Sequence, residues 1–111
     1  MAKKKIITIA SLLSIILLGC KAQSAANLSP KARQGKKIYE QRGCGSCHKI
    51  NGKGGRKGPD LTRVGNKLQE KEWYQKYFRN PTSVVPNAKM PKPLVTDEEM
   101  DKLIEYMLSL K

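Results

Sequence analysis

The chain has 111 residues, a length that corresponds to one small domain. Its 22 lysines and arginines outnumber 9 acidic residues and give a formal net charge of +13. One Trp, one Phe and four Tyr are few large side chains for a hydrophobic core, so we expect a buried cofactor to contribute to it.

The first nineteen residues have the pattern of an export signal. Lys3, Lys4 and Lys5 give a positive start, and residues 6–18 carry no charge. Thirteen residues form roughly 20 Å of helix, less than the roughly 30 Å of hydrocarbon in a bilayer. The pattern therefore predicts a signal peptide over residues 1–19 rather than a permanent membrane span.

The end of this segment predicts a lipid anchor. Leu17-Leu18-Gly19-Cys20 resembles a lipobox, where a bacterial lipoprotein signal peptidase cuts before a cysteine that carries lipid. We expect lipidation of Cys20 and a flexible tether over residues 20–29. Removal of the signal peptide takes away three lysines, so the mature chain would have a net charge of +10. The alternatives are an ordinary signal peptide with an incidental Cys20, or an uncleaved N-terminal anchor. All three predict a protein outside the cytoplasm and near a membrane.

Residues 30–111 are expected to form the folded domain, which begins with a helix. Ser29 is suited to an N-cap, Pro30 to the first helical position and Gly43 to a C-terminal stop. These signals predict a helix from Pro30 to about Arg42. Residues 49–59 are predicted to be a loop because glycines recur there among lysines and arginines, and residues 60–66 have room for a short helical turn.

Two further helices follow. Residues 69–79 predict a helix with Trp73, Tyr77 and Phe78 near one face, and it should end at Asn80, because residues before a proline avoid the helical region. Residues 81–93 contain four prolines and no periodicity, which predicts a loop. Thr96 opens a capping box, and the apolar residues of the last helix are Met100, Leu103, Ile104, Met107 and Leu108. No segment alternates like a strand, so the predicted fold class is all-α.

Cys44-Gly45-Ser46-Cys47-His48 is the signature of covalent haem attachment. Two thiols add across the two porphyrin vinyl groups, and the histidine after the second thiol then lies over the iron and ligates it. We therefore expect one haem c on Cys44 and Cys47, with His48 as an axial ligand. Because His48 is the only histidine, the second axial ligand must be another residue type.

Other uses of the cysteines explain less of the sequence. A thioredoxin-like redox pair requires strands of a βαβ unit, which the pattern does not predict. A zinc site needs a fourth ligand, and only Cys20 would remain to supply it. The plain alternative is a surface disulfide between Cys44 and Cys47. With lipid on Cys20 and haem on the other two, no disulfide is left to form.

Met90 is the candidate for the second axial ligand. It lies in the proline-rich stretch 86–91, which has no helical period, whereas Met100 and Met107 belong to the apolar stripe of the last helix. A methionine in a loop is more often a packing residue. The haem motif upstream and the lack of a second histidine favour ligation here.

From about Pro30 to Lys111 the chain resembles class I bacterial cytochromes c of the short monohaem kind. Residues 35–39, Gly-Lys-Lys-Ile-Tyr, look like the family's N-terminal helix, and Leu103 and Tyr106 match the contacting pair of its C-terminal helix. The resemblance implies three to five short helices around one covalently bound haem. It also implies that the N- and C-terminal helices cross.

The same resemblance implies roles for individual residues. Gly58-Pro59-Asp60-Leu61 matches the family's Gly-Pro-x-Leu, whose proline carbonyl accepts a hydrogen bond from the ligand histidine. Trp73 is similar to a tryptophan that contacts a haem propionate, the alternative being a core residue of an amphipathic helix. Met90-Pro91 matches the ligand loop. The lipobox is a departure from the pattern of this family, since many class I cytochromes c are freely soluble.

Two strong axial ligands leave no open position on the iron, so the implied activity is one-electron transfer rather than catalysis. We expect an exported, membrane-tethered carrier between respiratory-chain complexes, such as a quinol-oxidising complex and a terminal oxidase or dehydrogenase. The alternative is a fixed cytochrome c subunit of a multi-subunit periplasmic or membrane oxidoreductase. A gas sensor or peroxidase with an open iron site is a third hypothesis, which predicts carbon monoxide binding.

The basic loops around the motif predict acidic redox partners, which positive charge would steer into contact. The candidate docking residues are Lys49, Lys53, Lys57, Lys89 and Lys92, with Arg56 among them in the loops. The plain alternative is a generally basic surface that is attracted to anionic lipid. Nucleic acid is not an expected partner, because export separates the protein from it.

Overall fold

The computed structural model describes residues 27–111. This range forms four helices: α1 (Pro30–Gln41), α2 (Lys71–Arg79), α3 (Pro81–Val84) and α4 (Asp97–Ser109). Short 3₁₀ turns span Cys44–Ser46 and Val64–Asn66, and an antiparallel pair joins β1 (Lys49–Ile50) to β2 (Lys53–Gly54). The predicted mostly helical fold is confirmed. The predicted signal peptide, Cys20 and most of the predicted tether lie outside the described residues.

Helix α1 begins and ends at the predicted signals. The Ser29 hydroxyl accepts a hydrogen bond from the Ala32 N–H at 3.1 Å, and Pro30 occupies the first helical position. At the other end, the Arg42 N–H donates to Ile38, and Gly43 follows with a φ of +71°. A left-handed residue at this point turns the chain directly into the Cys44–Ser46 turn.

Helices α1 and α4 form the most extensive contact between elements of the described fold. A Cβ added at Gly35 would overlap the Lys102 carbonyl oxygen and lie 2.9 Å from the Tyr106 Cβ, so α4 passes directly over this glycine. One turn along, the Tyr39 and Tyr106 rings meet edge to face with centroids 5.8 Å apart. The predicted crossing of the two helices is confirmed.

Helix α4 supplies the centre of the core. Its capping box is complete: the Thr96 hydroxyl accepts from the Glu99 N–H at 3.1 Å, and the Glu99 carboxylate accepts from the Thr96 N–H at 2.9 Å. The predicted apolar stripe is buried at Met100, Leu103, Ile104 and Met107, and Ile104 has no exposed surface. One face of this helix packs on α1 and the other borders the cavity described below.

Three local predictions differ from the structure. The predicted loop over residues 49–59 contains β1 and β2. These strands could not be predicted, because two residues per strand are too few to show an alternating pattern. The predicted loop over residues 81–93 begins with α3, where Pro81 takes the first helical position. Helix α2 starts at Lys71, two residues later than predicted. None of the helices within residues 27–111 combines the length and apolar character needed to cross a membrane.

Candidate haem site

A cavity of about 430 Å³ lies between α2, α4, the segment after α1 and the loop that precedes α4. This volume is within the roughly 300–1,000 Å³ typical of small-molecule and cofactor sites. The lining is mostly apolar, and its aromatic residues are Tyr39, Trp73, Tyr74, Tyr77 and Phe78. The predicted site residues brought together in this lining are Cys44, His48, Pro59, Trp73 and Met90. Cys47 is half-buried and does not line the cavity.

The Cys44–His48 segment is folded into a tight turn. The Cys47 and His48 N–H groups both donate to the Cys44 carbonyl, at 3.2 and 3.1 Å. The turn therefore directs Cys44 and His48 to the cavity from one compact stretch of backbone.

Three glycines lie flush against this turn. A Cβ at Gly54 would overlap the His48 carbonyl oxygen, and Gly54 has a φ of +125°, which side chains rarely tolerate. A Cβ at Gly55 would overlap the Ser46 carbonyl oxygen. A Cβ at Gly58 would lie 2.6 Å from the His48 Cε1 atom. The glycine-rich loop expected from the sequence is thus a closely packed cover over the histidine.

The His48 ring is fixed in one orientation and one tautomer. Its Nδ1 lies 2.8 Å from the Pro59 carbonyl oxygen. A carbonyl can only accept, so Nδ1 carries the proton and Nε2 is left as the ring atom able to bind a metal. The side chain is buried, and the His48 carbonyl accepts from the Tyr39 hydroxyl at 3.4 Å.

Met90 enters the same cavity from the proline-rich loop. Asn87, which adopts a φ of +62°, and a hydrogen bond from Ala88 N–H to the Val85 carbonyl turn the chain before it. Asparagine tolerates this left-handed conformation better than most residues. Met107 of α4 also lines the cavity. Two thioether side chains thus border it.

The Cys44 thiol does not have the lowered pKa of a reactive redox cysteine. Burial raises the pKa of Cys44, and the nearby Cys47 raises it further, while a backbone hydrogen bond acts in the opposite direction. Reactive redox cysteines instead have a lowered pKa. Within residues 27–111, no group of three or more histidine, cysteine or acidic side chains is placed to hold a metal ion.

A family model of cytochrome c matches residues 32–111. The chain belongs to the cytochrome c family. Cytochromes c bind haem c covalently and transfer single electrons, and Cys44 and Cys47 have the spacing for attachment.

Three curated relatives share this region. The chain is 32% identical over 88 residues to cytochrome c oxidase subunit 2 of Alkalihalophilus pseudofirmus, covering 72% of this chain and 26% of the relative. It is 28% identical over 97 residues to cytochrome c oxidase subunit 2 of Bacillus subtilis, covering 75% of this chain and 27% of that relative. It is 29% identical over 96 residues to a subunit of nitric oxide reductase from Paracoccus denitrificans, covering 79% and 64%. The chain thus spans about a quarter of two relatives and just under two thirds of the third. No solved structure gives a significant match.

The residues of the cavity are suited to a haem. Its walls are apolar, and two buried polar atoms there have no protein partner among the described residues: the Gln69 Oε1 and the Tyr74 hydroxyl. Buried polar atoms normally have a partner, and haem propionates are polar groups that could supply one. Burial also raises the pKa of the Tyr74 phenol, so it stays a neutral donor.

The sequence did not indicate either residue. Gln69 is one of several polar and charged residues around the start of α2, and Tyr74 is recognisable only as the i−4 neighbour of Phe78. Trp73 borders the same space and stacks on Tyr77, with centroids 5.0 Å apart and planes at 10°. The contact predicted between Trp73 and a propionate stays a prediction.

The predicted docking lysines lie outside the cavity. Lys49 is in β1, Lys53 is in β2, and Lys57 is in the loop that follows; Lys89 and Lys92 flank Met90. All of these lysines are exposed except Lys49, which is half-buried. Lys67, which was not among the predicted docking residues, is the lysine that borders the cavity.

Proposed function

We propose that this cytochrome c is an electron carrier in which Cys44 and Cys47 attach the haem and His48 and Met90 ligate the iron. The observation that carries the proposal is that His48, with Nδ1 held by Pro59, and Met90 border one apolar cavity together with Cys44. When bound, the haem supplies an iron that alternates between Fe(II) and Fe(III). A histidine and a methionine would fill both axial positions, which disfavours binding of a substrate or gas.

The chain's contribution is to keep both ligands in place. The histidine is fixed by the Pro59 carbonyl and covered by Gly58, and the methionine follows a turn stiffened by prolines. The aromatic and aliphatic walls would shield a bound haem from much of the solvent. A site that changes little between oxidation states is suited to rapid electron transfer, and low polarity with thioether ligation raises the reduction potential.

The distribution of ion pairs supports docking of an acidic partner on the loops of residues 43–67 and 81–93, which we call the loop side. All six ion pairs of the described residues join side chains on α1, α2, α4 or the residue that caps α1. Residues 43–67 and 81–93 contain one acidic residue, Asp60, whose carboxylate is bonded to Thr62. The basic residues of these two segments make no ion pair within residues 27–111; they are Lys49, Lys53, Arg56, Lys57, Arg63, Lys67, Lys89 and Lys92. Charges without internal partners are free to steer a negatively charged protein.

The exposed apolar side chains support contact at the mouth of the cavity. Among the described residues, the large hydrophobic side chains that remain exposed are Leu68, Val85 and Leu94. Val85 borders the cavity, and the other two directly follow the cavity residues Lys67 and Pro93. Apolar contacts near the haem, surrounded by lysines, suit a short-lived complex between redox proteins.

Membrane attachment and location belong to the same proposal. The lipobox ending at Cys20 supports export and a lipid anchor, with electron donors and acceptors at the same membrane surface. The names of the relatives support the alternative, in which the chain is a fixed part of an oxidase or reductase. The loop charges favour the carrier, because a permanent interface would pair them.

The ligand assignment is tested by comparing Met90→Ala with Met107→Leu in the haem-loaded protein. We expect Met90→Ala to lose the weak long-wavelength band of iron–sulfur ligation, to bind carbon monoxide when reduced and to have a lower reduction potential. Met107→Leu should keep the band, because its packing role is met by leucine. Loss of the band in Met107→Leu alone would show that α4 supplies the ligand. Absence of covalent haem from the wild-type protein would contradict the whole proposal.

Two measurements separate the carrier from the fixed subunit. Purification in mild detergent should give the carrier alone, whereas a stoichiometric partner would identify a fixed subunit. Intact mass should show a lipid-modified chain that begins at Cys20, and Cys20→Ser should release the protein from the membrane fraction. An unmodified cysteine in the wild type would remove the anchor from the proposal.

A further inference from the structure

The backbone around Pro59 is held against the attachment motif at two points. The Gly58 N–H donates to the Cys47 carbonyl and the Leu61 N–H donates to the Lys49 carbonyl, both at 2.8 Å. These bonds fix the position of the segment between them. They do not fix the angle at which the Pro59 carbonyl meets the His48 ring.

That angle depends on the peptide plane that the Pro59 carbonyl shares with the Asp60 N–H. The Asp60 side chain folds forward, and its Oδ1 accepts from the Thr62 N–H at 2.8 Å and from the Thr62 hydroxyl. The Thr62 hydroxyl oxygen in turn accepts from the Asn51 N–H at 2.9 Å. A continuous chain of hydrogen bonds therefore ties Asp60 to the turn that follows β1.

We propose that this chain, the Asp60–Thr62–Asn51 brace, sets the aim of the Pro59 carbonyl at His48 and so tunes the electron donation of the axial histidine. Its members are positioning residues, and the inference rests on the proposed ligation by His48. A well-aimed carbonyl gives the imidazole more negative character, which makes it a stronger ligand for Fe(III). A weaker bond should therefore raise the reduction potential.

Thr62 is the central member of the brace, because its hydroxyl uses both its donor and its acceptor capacity there. The bond to Asn51 also satisfies the N–H of a residue with a φ of +50°. Substitution of Thr62 leaves the charge of the protein unchanged. A change in potential would therefore reflect the geometry of the ligand rather than a new electrostatic field.

The test uses haem-loaded Thr62→Val, with Thr62→Ser as the conservative variant. We expect Thr62→Val to raise the reduction potential and to accelerate hydrogen exchange at the His48 Nδ1–H about tenfold, as measured by NMR. Thr62→Ser keeps the hydroxyl and should retain wild-type values. Thr82→Val is the matched control, because the Thr82 hydroxyl makes a similar bond, to Asn80, outside the Pro59 segment.

The other end of the brace gives a second, independent test. Asp60→Ala removes the acceptor and should accelerate exchange at His48 as Thr62→Val does, whereas Asp60→Asn keeps an oxygen acceptor and should retain the wild-type rate. If the charge of Asp60 acted alone, alanine and asparagine would behave alike, and the proposal would be wrong. Normal covalent haem and methionine ligation in Thr62→Val, with wild-type potential and exchange, would overturn the brace and leave the proposed function intact.

Discussion

At the scale of single residues, Gly35 has the most demanding position in the fold. Its α-carbon lies where α4 crosses α1, and a methyl group there would overlap the Lys102 carbonyl oxygen. That atom belongs to helix backbone and cannot rotate away. The two helices would have to separate along their main contact, which also holds the Tyr39–Tyr106 pair.

We therefore expect Gly35→Ala to lower the free energy of unfolding by about 1–3 kcal/mol or more, the usual cost of overpacking, despite the higher helix propensity of alanine. Denaturant titration of the haem-loaded protein measures this change. Gly45→Ala is the matched control, because a Cβ at Gly45 would meet only the Tyr39 ring, at 3.7 Å. Equal stability of the two variants would show that the helix crossing tolerates a methyl group.

Single residues also show where prediction from sequence succeeds. The Cys44–His48 motif could be predicted, because cofactor chemistry fixes its spacing. Gly35 was indicated only by the family resemblance, because what it requires is the close approach of α4. Tyr74 and Gln69 could not be predicted, because what distinguishes them is a buried polar atom without a partner among residues 27–111, and burial depends on the packing of the whole chain. Lys67 was missed for the same reason, since its place at the cavity follows from the fold around the Val64–Asn66 turn.

At the scale of elements, helix ends were predicted more reliably than the segments between helices. The capping box at Thr96 uses residues three apart, so its signal is complete within four letters of sequence. The β1–β2 pair is too short to show a period, and α3 is a single turn. Such short elements are stabilised by what they pack against, which a local pattern does not contain.

Three helices meet at one carboxylate. Asp101 of α4 pairs with Lys31 at the start of α1 and with Lys71 at the start of α2. The hydrogen bonds from these two lysines hold the pKa of Asp101 below its ordinary value of 3.8. A carboxyl group with a lowered pKa in the native state favours folding when ionised. Its contribution is present above the unfolded pKa and is lost as the pH falls through the lowered native pKa.

We expect Asp101→Asn to be less stable than the wild type at neutral pH, with a difference that shrinks below about pH 4 and disappears once the wild-type carboxyl is protonated. Because the pairs are partly exposed, the effect should be small and should weaken in high salt. Thermal unfolding at several pH values measures it. Glu105→Gln on the same helix is the control, since Glu105 forms no ion pair within the described residues. A difference independent of pH would show that Asp101 acts by packing.

At the scale of the whole molecule, the charges are divided between the helices and the loops around the cavity. The helices and the residue that caps α1 hold all the ion pairs of the described residues, and the loops around the cavity hold basic side chains with one acidic residue among them. An anion approaching the loop side meets a field that internal pairs do not cancel. The haem propionates would reduce the positive charge there but would not reverse it, because eight basic residues lie in these loops.

Small redox reagents can test this division without a physiological partner. Oxidation of the reduced protein by ferricyanide, an anion, should slow as ionic strength rises from about 0.01 M to 1 M, because the screening length falls from about 30 Å to about 3 Å. Oxidation by a cationic cobalt(III) complex should accelerate over the same range. Stopped-flow absorbance at the haem bands measures both rates.

A local field should depend on where a charge is placed and not only on the net charge. Lys67→Glu, at the cavity, should reduce the low-salt ferricyanide rate about twofold to tenfold, and Lys37→Glu, on the exposed face of α1, should change it much less. Both variants alter the net charge by the same amount. Equal effects would therefore mean that net charge alone governs the encounter, and the loop side would lose its assignment as the docking face. A larger effect at Lys67 would place electron exchange at the mouth of the cavity, next to the exposed Leu68 that follows Lys67 in the chain.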